Sequence, residues 1–158
     1  MTGVDPGSDL ALARAVDDLR RGEAISVRDG EVVLHILAAE LATVESLGGL
    51  EAAGRAELLL SPERAATLNI LNQRAAAGTR AVAVTRMPWL DLVASIAAAD
   101  PVADLETPFK GPFPTRPLGA EAGAAEAAIA LAKRAGLLPA LFFVAGGPPV
   151  SSRLAVEA

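Results

Sequence analysis

The sequence predicts an α+β fold, a layered α/β domain in which helices flank a mixed sheet. Three observations support this fold class. Strand-like apolar runs alternate with helix-like runs along the chain, an Asp29-Gly30 pair separates two β-branched runs, and Ser61-Pro62-Glu63 has the residue order of a helix start. We see no internal repeat that would favour a solenoid.

Length and composition fit one domain. The chain has 158 residues, of which 52% are hydrophobic and 21% charged, so it can bury a sizeable core. We expect a loose N-terminus at 1–8, a single domain at 9–147, and a tail or linker at 148–158. The last segment has the proline, glycine and serine content of a linker.

The first part of the chain predicts a helix and then a β-hairpin. Apolar residues recur at helical spacing over 9–21, and Gly22 is placed to end that helix. The runs at 23–29 and 31–38 are apolar and β-branched, and the Asp-Gly pair between them favours a hairpin. A parallel or offset pair joined by a shortened loop is the alternative.

The middle of the chain predicts further helices and strands. Thr43 is placed to cap a short helix, and 55–61 is a candidate buried strand. The capping residues Ser61-Pro62-Glu63 predict a helix over 62–73. A strand is expected over 79–87.

The last third of the domain predicts two helices, an irregular segment and a strand. Pro88 opens a predicted helix that Asp100-Pro101 stops. Five prolines between 100 and 118 favour an ordered but irregular segment. The run at 120–136 predicts a strong helix ending at Gly136, and 137–146 predicts a buried strand.

Charge and hydropathy exclude some partners. The formal net charge is −5 and the 14 Lys and Arg residues are scattered, so we expect no nucleic-acid partner. The apolar runs are much shorter than the roughly 20 residues that span a bilayer. The polar N-terminus is unlike a signal peptide, so we predict a cytoplasmic protein without membrane contact.

The side chains available for metal binding and redox chemistry are few. The absence of cysteine excludes disulfides and thiolate zinc sites, and a single histidine is too few for the usual His-based sites. Only carboxylates could hold a divalent ion, as they hold magnesium. We therefore predict no cofactor and no metal site.

The lone histidine lies within an apolar strand pattern. No Ser or Asp stands at a spacing that would suggest a catalytic triad with His35, so we interpret it as a hydrogen-bonded core or edge histidine rather than a catalytic base. The carboxylates nearest to it in sequence are Asp29, Glu31 and Glu40. Since an Asp in a turn is favoured for backbone reasons alone, Asp29 is not by itself a metal ligand.

Cations in or near loops are candidates for ligand binding. Lys110 and Arg116 lie in the proline-rich segment and could bind a phosphorylated small molecule, with Arg28 as a further candidate. Two or three cations are a weak signal because scattered surface charges are common. Ligand binding by these residues is therefore one hypothesis among others.

The order of the segments resembles the 3,4-dihydroxy-2-butanone 4-phosphate synthase family over roughly 10–147. The resemblance rests on "ALARAVDDLRRGEAISVRD", "AAELAT", "SPERAATLNI" and "GAAEAAIALAKRAGLLPALFFVAG", in that order. It implies the fold of that family. In the family, magnesium and ribulose 5-phosphate are held by an acidic loop of the type Asp-Arg-Glu-Asn-Glu-Gly-Asp between the first two strands.

This chain departs from the family pattern at each catalytic position. The acidic loop is reduced to Asp29-Gly30-Glu31, which we interpret as its vestige. The family's Gly-His-Thr-Glu-Ala-Ala corresponds to a segment in which Ala124 replaces the histidine, and Ala145 stands near the place of a late glutamate. Alanine cannot transfer protons, so the resemblance implies that no catalytic residue is retained.

The resemblance is strongest to the degenerate domain that precedes GTP cyclohydrolase II in some bacteria. It implies a homodimer and a downstream cyclohydrolase module, whose cysteine-bound zinc this cysteine-free chain cannot supply. We predict a non-catalytic dimerisation or scaffold domain of a riboflavin-pathway protein. The alternatives are a sensor of a phosphorylated metabolite through Arg28, Lys110 and Arg116, and an active ribulose 5-phosphate lyase.

Overall fold

The β-strands form one mixed sheet with helices on both faces. The computed structural model describes residues 6–71, 73–74, 76, 78–106, 111–146 and 155–157. Within these residues the sheet has seven strands in the order β5-β4-β3-β6-β2-β1-β7. The predicted α+β fold with a mixed sheet is confirmed.

The strand and helix bounds place most elements where the sequence predicts them. The strands are β1 (Ile25–Asp29), β2 (Val32–Ala38), β3 (Glu57–Leu60), β4 (Val82–Val84), β5 (Thr115–Arg116), β6 (Ala140–Ala145) and β7 (Ala155–Glu157). The α-helices are α1 (Pro6–Arg20), α2 (Val44–Glu51), α3 (Pro62–Thr67), α4 (Leu92–Ala99) and α5 (Ala122–Arg134). No helix in the described part of the chain is long and apolar enough to cross a membrane.

Two apolar cores lie on opposite faces of the sheet. Helices α1 and α5 cover one face, where Ile36 and Phe143 are buried, and α2, α3 and α4 cover the other, where Leu37 and Phe142 are buried. Side chains alternate between faces along a strand, so neighbours in sequence enter different cores. Because β6 is buried on both faces, it reads as a continuous apolar run.

The predicted hairpin is present with its turn one residue later than predicted. Strands β1 and β2 are antiparallel, and Asp29 pairs with Val32, so Gly30 and Glu31 form the two-residue loop. Gly30 has φ 57°, which glycine adopts without steric cost and which a type II′ turn requires at its first central residue. The parallel alternative for this pair is wrong.

Helix caps decide where several helices begin and end. Thr43 caps α2 through a capping box with Ser46, as predicted. The helix predicted over 62–73 ends at Thr67, because Asn69 at φ 58° closes a C-terminal motif in which Ile70 N donates to Ala65 O. That boundary was predicted wrongly.

Two other helix starts differ from the prediction. Helix α1 begins at Pro6 rather than residue 9, and proline suits the first turn because its fixed φ is helical and it needs no hydrogen-bond acceptor there. Helix α4 begins at Leu92, not after Pro88, because the Asp91 side chain accepts a hydrogen bond from Ala94 N and acts as the N-cap.

Part of the predicted tail belongs to the sheet. Ala155–Glu157 pairs in parallel with β1, so these three residues form a strand rather than a linker. This strand lies beside Ser26 and Arg28 and makes the sheet mixed, since the other strand pairs are antiparallel. A linker composition does not prevent a short strand when an unpaired edge is available.

Candidate functional site

The tip of the first hairpin packs against the start of α5. The carboxylate of Asp29, at the end of β1, lies directly over Gly123 in the first turn of the helix. A Cβ atom on residue 123 would collide with that carboxylate. The positive end of the helix dipole favours an anion here by about 0.3–1 kcal/mol. Asp29 therefore makes a contact between two secondary-structure elements.

The residues that surround this contact do not form a magnesium site. Glu31 is exposed in the hairpin turn, and the described residues contain no group of three or more His, Asp or Glu side chains placed to hold a metal ion. A hard cation needs several convergent oxygen ligands. The side chains present therefore do not fit the magnesium that the resemblance implies.

The two alanines at the implied catalytic positions have different environments. Ala124 is fully buried in the core beneath α5, and Ala145 is exposed at the end of β6. Neither methyl group can accept or donate a proton. The site offers no replacement for the histidine and glutamate of the family pattern at these two positions.

An open groove runs along the outer surface of α5, and we call it the α5 groove. It has a volume of about 540 Å³ and is lined by charged residues from three parts of the chain, with alanine and isoleucine at its base. The charged lining residues are Asp29, Arg80, Glu126 and Lys133. Arg80 has no hydrogen-bond or ion-pair partner within the described ranges. The groove could hold a small charged molecule or a protein surface.

The contact between Asp29 and Gly123 makes a quantitative prediction. In the wild-type chain Gly123→Ala should change the free energy of unfolding little, because the helix-propensity gain of about 0.5–1 kcal/mol offsets the cost of displacing the carboxylate. In an Asp29→Ala background the same substitution should stabilise the chain by about 1 kcal/mol. Urea unfolding of the four proteins measures this difference. Equal effects in both backgrounds would contradict the contact.

His35 is a buried histidine with one hydrogen bond. Its Nδ1 lies 2.8 Å from Ser26 Oγ. Both residues are buried, Ser26 on β1 and His35 opposite it on β2. Among the residues that the structure describes, Nε2 has no hydrogen-bond partner. Since both side chains are buried, the geometry agrees with a core histidine rather than a catalytic base.

Arg116 is held by two carboxylates. Its Nε lies 2.8 and 2.9 Å from the Glu57 oxygens, its guanidinium donates to Glu121 at 2.7 Å, and it stacks 5.5 Å above the Phe143 ring. Burial acts to lower the pKa of Arg116, but the hydrogen bonds and negative charges of Glu57 and Glu121 together outweigh burial and raise it. The guanidinium joins β3, β5 and the start of α5.

Arg28 is not brought together with Arg116, because β1 and β5 lie far apart in the sheet. Arg28 is exposed on β1, where its backbone lies between β2 and β7. Lys110 lies outside the described residues. Two cations that line the α5 groove, Arg80 and Lys133, were not identified from the sequence because they are far apart in the chain.

Some of the residues that were missed had partial signals in the sequence. Ser26 lies opposite His35 only with the observed turn; a turn at Asp29-Gly30 would have placed it opposite Val33. Glu40 was considered near His35, but its carboxylate instead accepts a hydrogen bond from Leu138 N at 2.6 Å. Moving the turn by one residue shifts every cross-strand pair of the hairpin by two residues.

Comparison with known proteins identifies the fold. The chain is similar to a 3,4-dihydroxy-2-butanone 4-phosphate synthase in a cation-free form, with 24% identity, a TM-score of 0.62, and coverage of 93% of this chain and 81% of that one. A Candida albicans synthase has 27% identity, a TM-score of 0.60 and coverages of 84% and 77%. No family model matches the chain, and no curated protein shows significant similarity.

A further similar structure has two domains. RibBX from A. baumannii, a two-domain 3,4-dihydroxy-2-butanone 4-phosphate synthase, has 21% identity and a TM-score of 0.59, and the match covers 91% of this chain but 50% of that protein. Together these similarities show that the chain has the fold of the 3,4-dihydroxy-2-butanone 4-phosphate synthases. The predicted resemblance is confirmed at the level of fold.

Proposed function

We propose that the chain is a catalytically degenerate, synthase-like domain that serves as a dimerising scaffold. The observation that supports it best is the packing of Asp29 against Gly123. The resemblance places an acidic metal-binding loop and a histidine at this point. In this chain the hairpin end at Asp29 is in direct contact with α5, which carries Ala124 at the position of that histidine. The metal ligands and the proton-transfer group that the resemblance implies are therefore lacking at this point.

The positions and contacts of the candidate residues support the same proposal. Arg116 forms ion pairs with two carboxylates, and His35 is a buried residue of β2. A lyase acting on a phosphorylated sugar needs an accessible base and a group that stabilises the developing enediolate. The described residues near Asp29 offer neither in the positions that the resemblance implies.

The wider context is a second part of the proposal. The similar structures are 3,4-dihydroxy-2-butanone 4-phosphate synthases, and one of them has two domains. We propose that this chain likewise works beside another module, a GTP cyclohydrolase II in the riboflavin pathway, in the cytoplasm. Expression with such a module, followed by co-purification, tests this association.

An activity assay tests the proposed loss of catalysis. The purified chain is incubated with ribulose 5-phosphate and magnesium, and formate release is followed by NMR beside an active synthase as control. We expect no formate above the rate without protein. Formate at an enzymatic rate would overturn the proposal and make the chain an active lyase whose catalytic groups lie at other positions.

A ligand-sensing domain is the alternative function. The α5 groove favours it more than the predicted cations do, because Arg80 and Lys133 line an open volume whereas Arg116 is ion-paired. Calorimetric titration with ribulose 5-phosphate, GTP and flavin distinguishes the two functions. Saturable heat that is lost in an Arg80→Met variant would support the sensor. No saturable heat with any of the three ligands would support the scaffold.

A further inference from the structure

Another pocket lies between α3 and the ends of α4 and α5, and we call it the α3 pocket. It has a volume of about 330 Å³, which is within the range of small-molecule sites. Two side chains of opposite charge, Glu63 and Lys133, line its mouth. The walls are mostly apolar and include Ala99, Pro101, Leu138 and Pro139. The pocket therefore joins an apolar interior to one anion and one cation.

The other charged groups at this pocket are held by the protein itself. Arg64 is 5% exposed, and its guanidinium contacts Asp104 and the carbonyls of two residues at the end of α4. The Glu40 carboxylate accepts a hydrogen bond from the backbone N of Leu138. A ligand in the α3 pocket would therefore meet the two charges at the mouth.

The two charges at the mouth are weakly paired with each other. Lys133 Nζ lies 3.3 and 3.4 Å from the Glu63 oxygens, and the side chains are 49% and 72% exposed. Exposed ion pairs contribute little to stability, so a ligand can replace this one at little cost. The pKa of Glu63 is lowered first by a hydrogen bond from its own backbone and then by one from Ser61, with the hydrogen bond from Lys133 after both. The carboxylate therefore stays ionised at neutral pH when Lys133 turns to a ligand.

Lys133 is available to the α3 pocket although it also lines the α5 groove. In that groove it stands with Asp29, Arg80 and Glu126. Its Nζ nevertheless lies beside Glu63, which lines the α3 pocket and not the α5 groove. The ammonium group is therefore placed at the mouth of the α3 pocket.

We propose that the α3 pocket binds a free α-amino acid with an apolar side chain of about the size of leucine. Its carboxylate accepts a hydrogen bond from Lys133, its ammonium group donates to Glu63, and its side chain packs against Leu138 and Pro139. A zwitterion satisfies both charges at the mouth, whereas a ligand with one charge leaves the other charge without its partner. A sugar phosphate fits poorly, because it offers no cation to Glu63 and no apolar surface to the walls.

Titration of the isotope-labelled 158-residue chain with L-leucine, followed by NMR, tests the site. We expect saturable shifts at residues 61–67 and 133–139. Isocaproate lacks the ammonium group, isoamylamine lacks the carboxylate and glycine lacks the side chain, so each should bind at least about tenfold more weakly than leucine. No saturable shift with leucine would overturn the site. Isocaproate or glycine binding as tightly as leucine would overturn the assignment of an apolar zwitterion.

Two variants assign the ends of the ligand. Lys133→Met should weaken leucine binding by about tenfold and remove the preference for leucine over isoamylamine, because the carboxylate has lost its partner. Glu63→Gln should weaken it by a similar factor and remove the preference for leucine over isocaproate. If both variants keep the two preferences of the wild type, the proposed orientation is wrong.

Matched controls separate these contacts from general charge and from unfolding. Arg134→Met removes a cation from the same last turn of α5, and Glu45→Gln removes an anion from the first turn of α2. Both residues are exposed and neither lines the α3 pocket, so leucine should bind these variants as it binds the wild type. Thermal melting verifies that every variant is folded.

This site does not depend on the proposed function. If leucine fails to bind and no formate is released, the α3 pocket is wrong and the non-catalytic domain stands. If leucine binds and formate is released, the pocket stands and the proposed loss of catalysis is wrong.

Discussion

Arg64→Met should lower the free energy of unfolding by about 3 kcal/mol, because it removes the buried charge that joins α3 to the end of α4. The Arg64 side chain is 5% exposed, and its guanidinium contacts both oxygens of Asp104 at 2.6 and 2.8 Å. It also donates to the Ala98 and Asp100 carbonyls at 2.7 and 3.2 Å.

The loss of these contacts leaves buried groups without partners. Two backbone carbonyls at the end of α4 lose their donor, and an unsatisfied buried acceptor costs about 1–3 kcal/mol. Asp104 is 27% exposed, so water can solvate its carboxylate and reduce the free-energy cost of losing the ion pair. The cost therefore lies at the lower end of the range for breaking a buried ion pair.

Urea unfolding measures this prediction, with Arg14→Met as the control. Arg14 is an exposed helical arginine, so the same substitution there should change stability by less than about 0.5 kcal/mol. Arg64→Lys should be intermediate, because a lysine keeps the charge but cannot form the forked contact. Equal stabilities for the Arg64 and Arg14 variants would contradict the buried contact.

Arg116→Met should destabilise the chain by about 2 kcal/mol without abolishing any metabolite binding. The guanidinium separates Glu57 and Glu121, and it is 30% exposed, so solvent reduces the cost relative to Arg64. With Arg116 removed, the two carboxylates lose the cation that both contact. The stacking on Phe143 is lost as well.

The matched control is Arg28→Met, since Arg28 is exposed and has no ion pair or hydrogen bond within the described ranges. Thermal melts should show a clear loss of stability for Arg116→Met and little for Arg28→Met. Calorimetry with ribulose 5-phosphate or GTP is carried out on both variants. A stable Arg116→Met chain that alone loses saturable binding would contradict the structural role and support the sensor.

Local sequence determined much of the fold. Thr43, Ser61 and Gly136 mark helix ends because their side chains or positive φ act within a few residues. The Asp-Gly signal predicted the hairpin because turn chemistry is also local. The two helix boundaries that were predicted wrongly, at Asn69 and Asp91, are also set by local capping residues. The apolar pattern continues past them and concealed them.

For the candidate site, the sequence by itself predicted which chemical groups of the family pattern this chain lacks. Composition excludes cysteine chemistry, and the segment order with its departures predicted the synthase fold and a reduced acidic turn. These conclusions need no geometry, because an alanine cannot transfer a proton wherever it lies.

Only the tertiary structure decided how the remaining side chains are used. Asp29 meets Gly123, Arg116 meets Glu57, and Arg64 meets Asp104 across long stretches of sequence. The strand order that places β6 between β2 and β3 brings such residues together. Local propensity cannot specify these contacts, since their free energy arises from burial and pairing that exist only once the sheet and both helix layers have assembled.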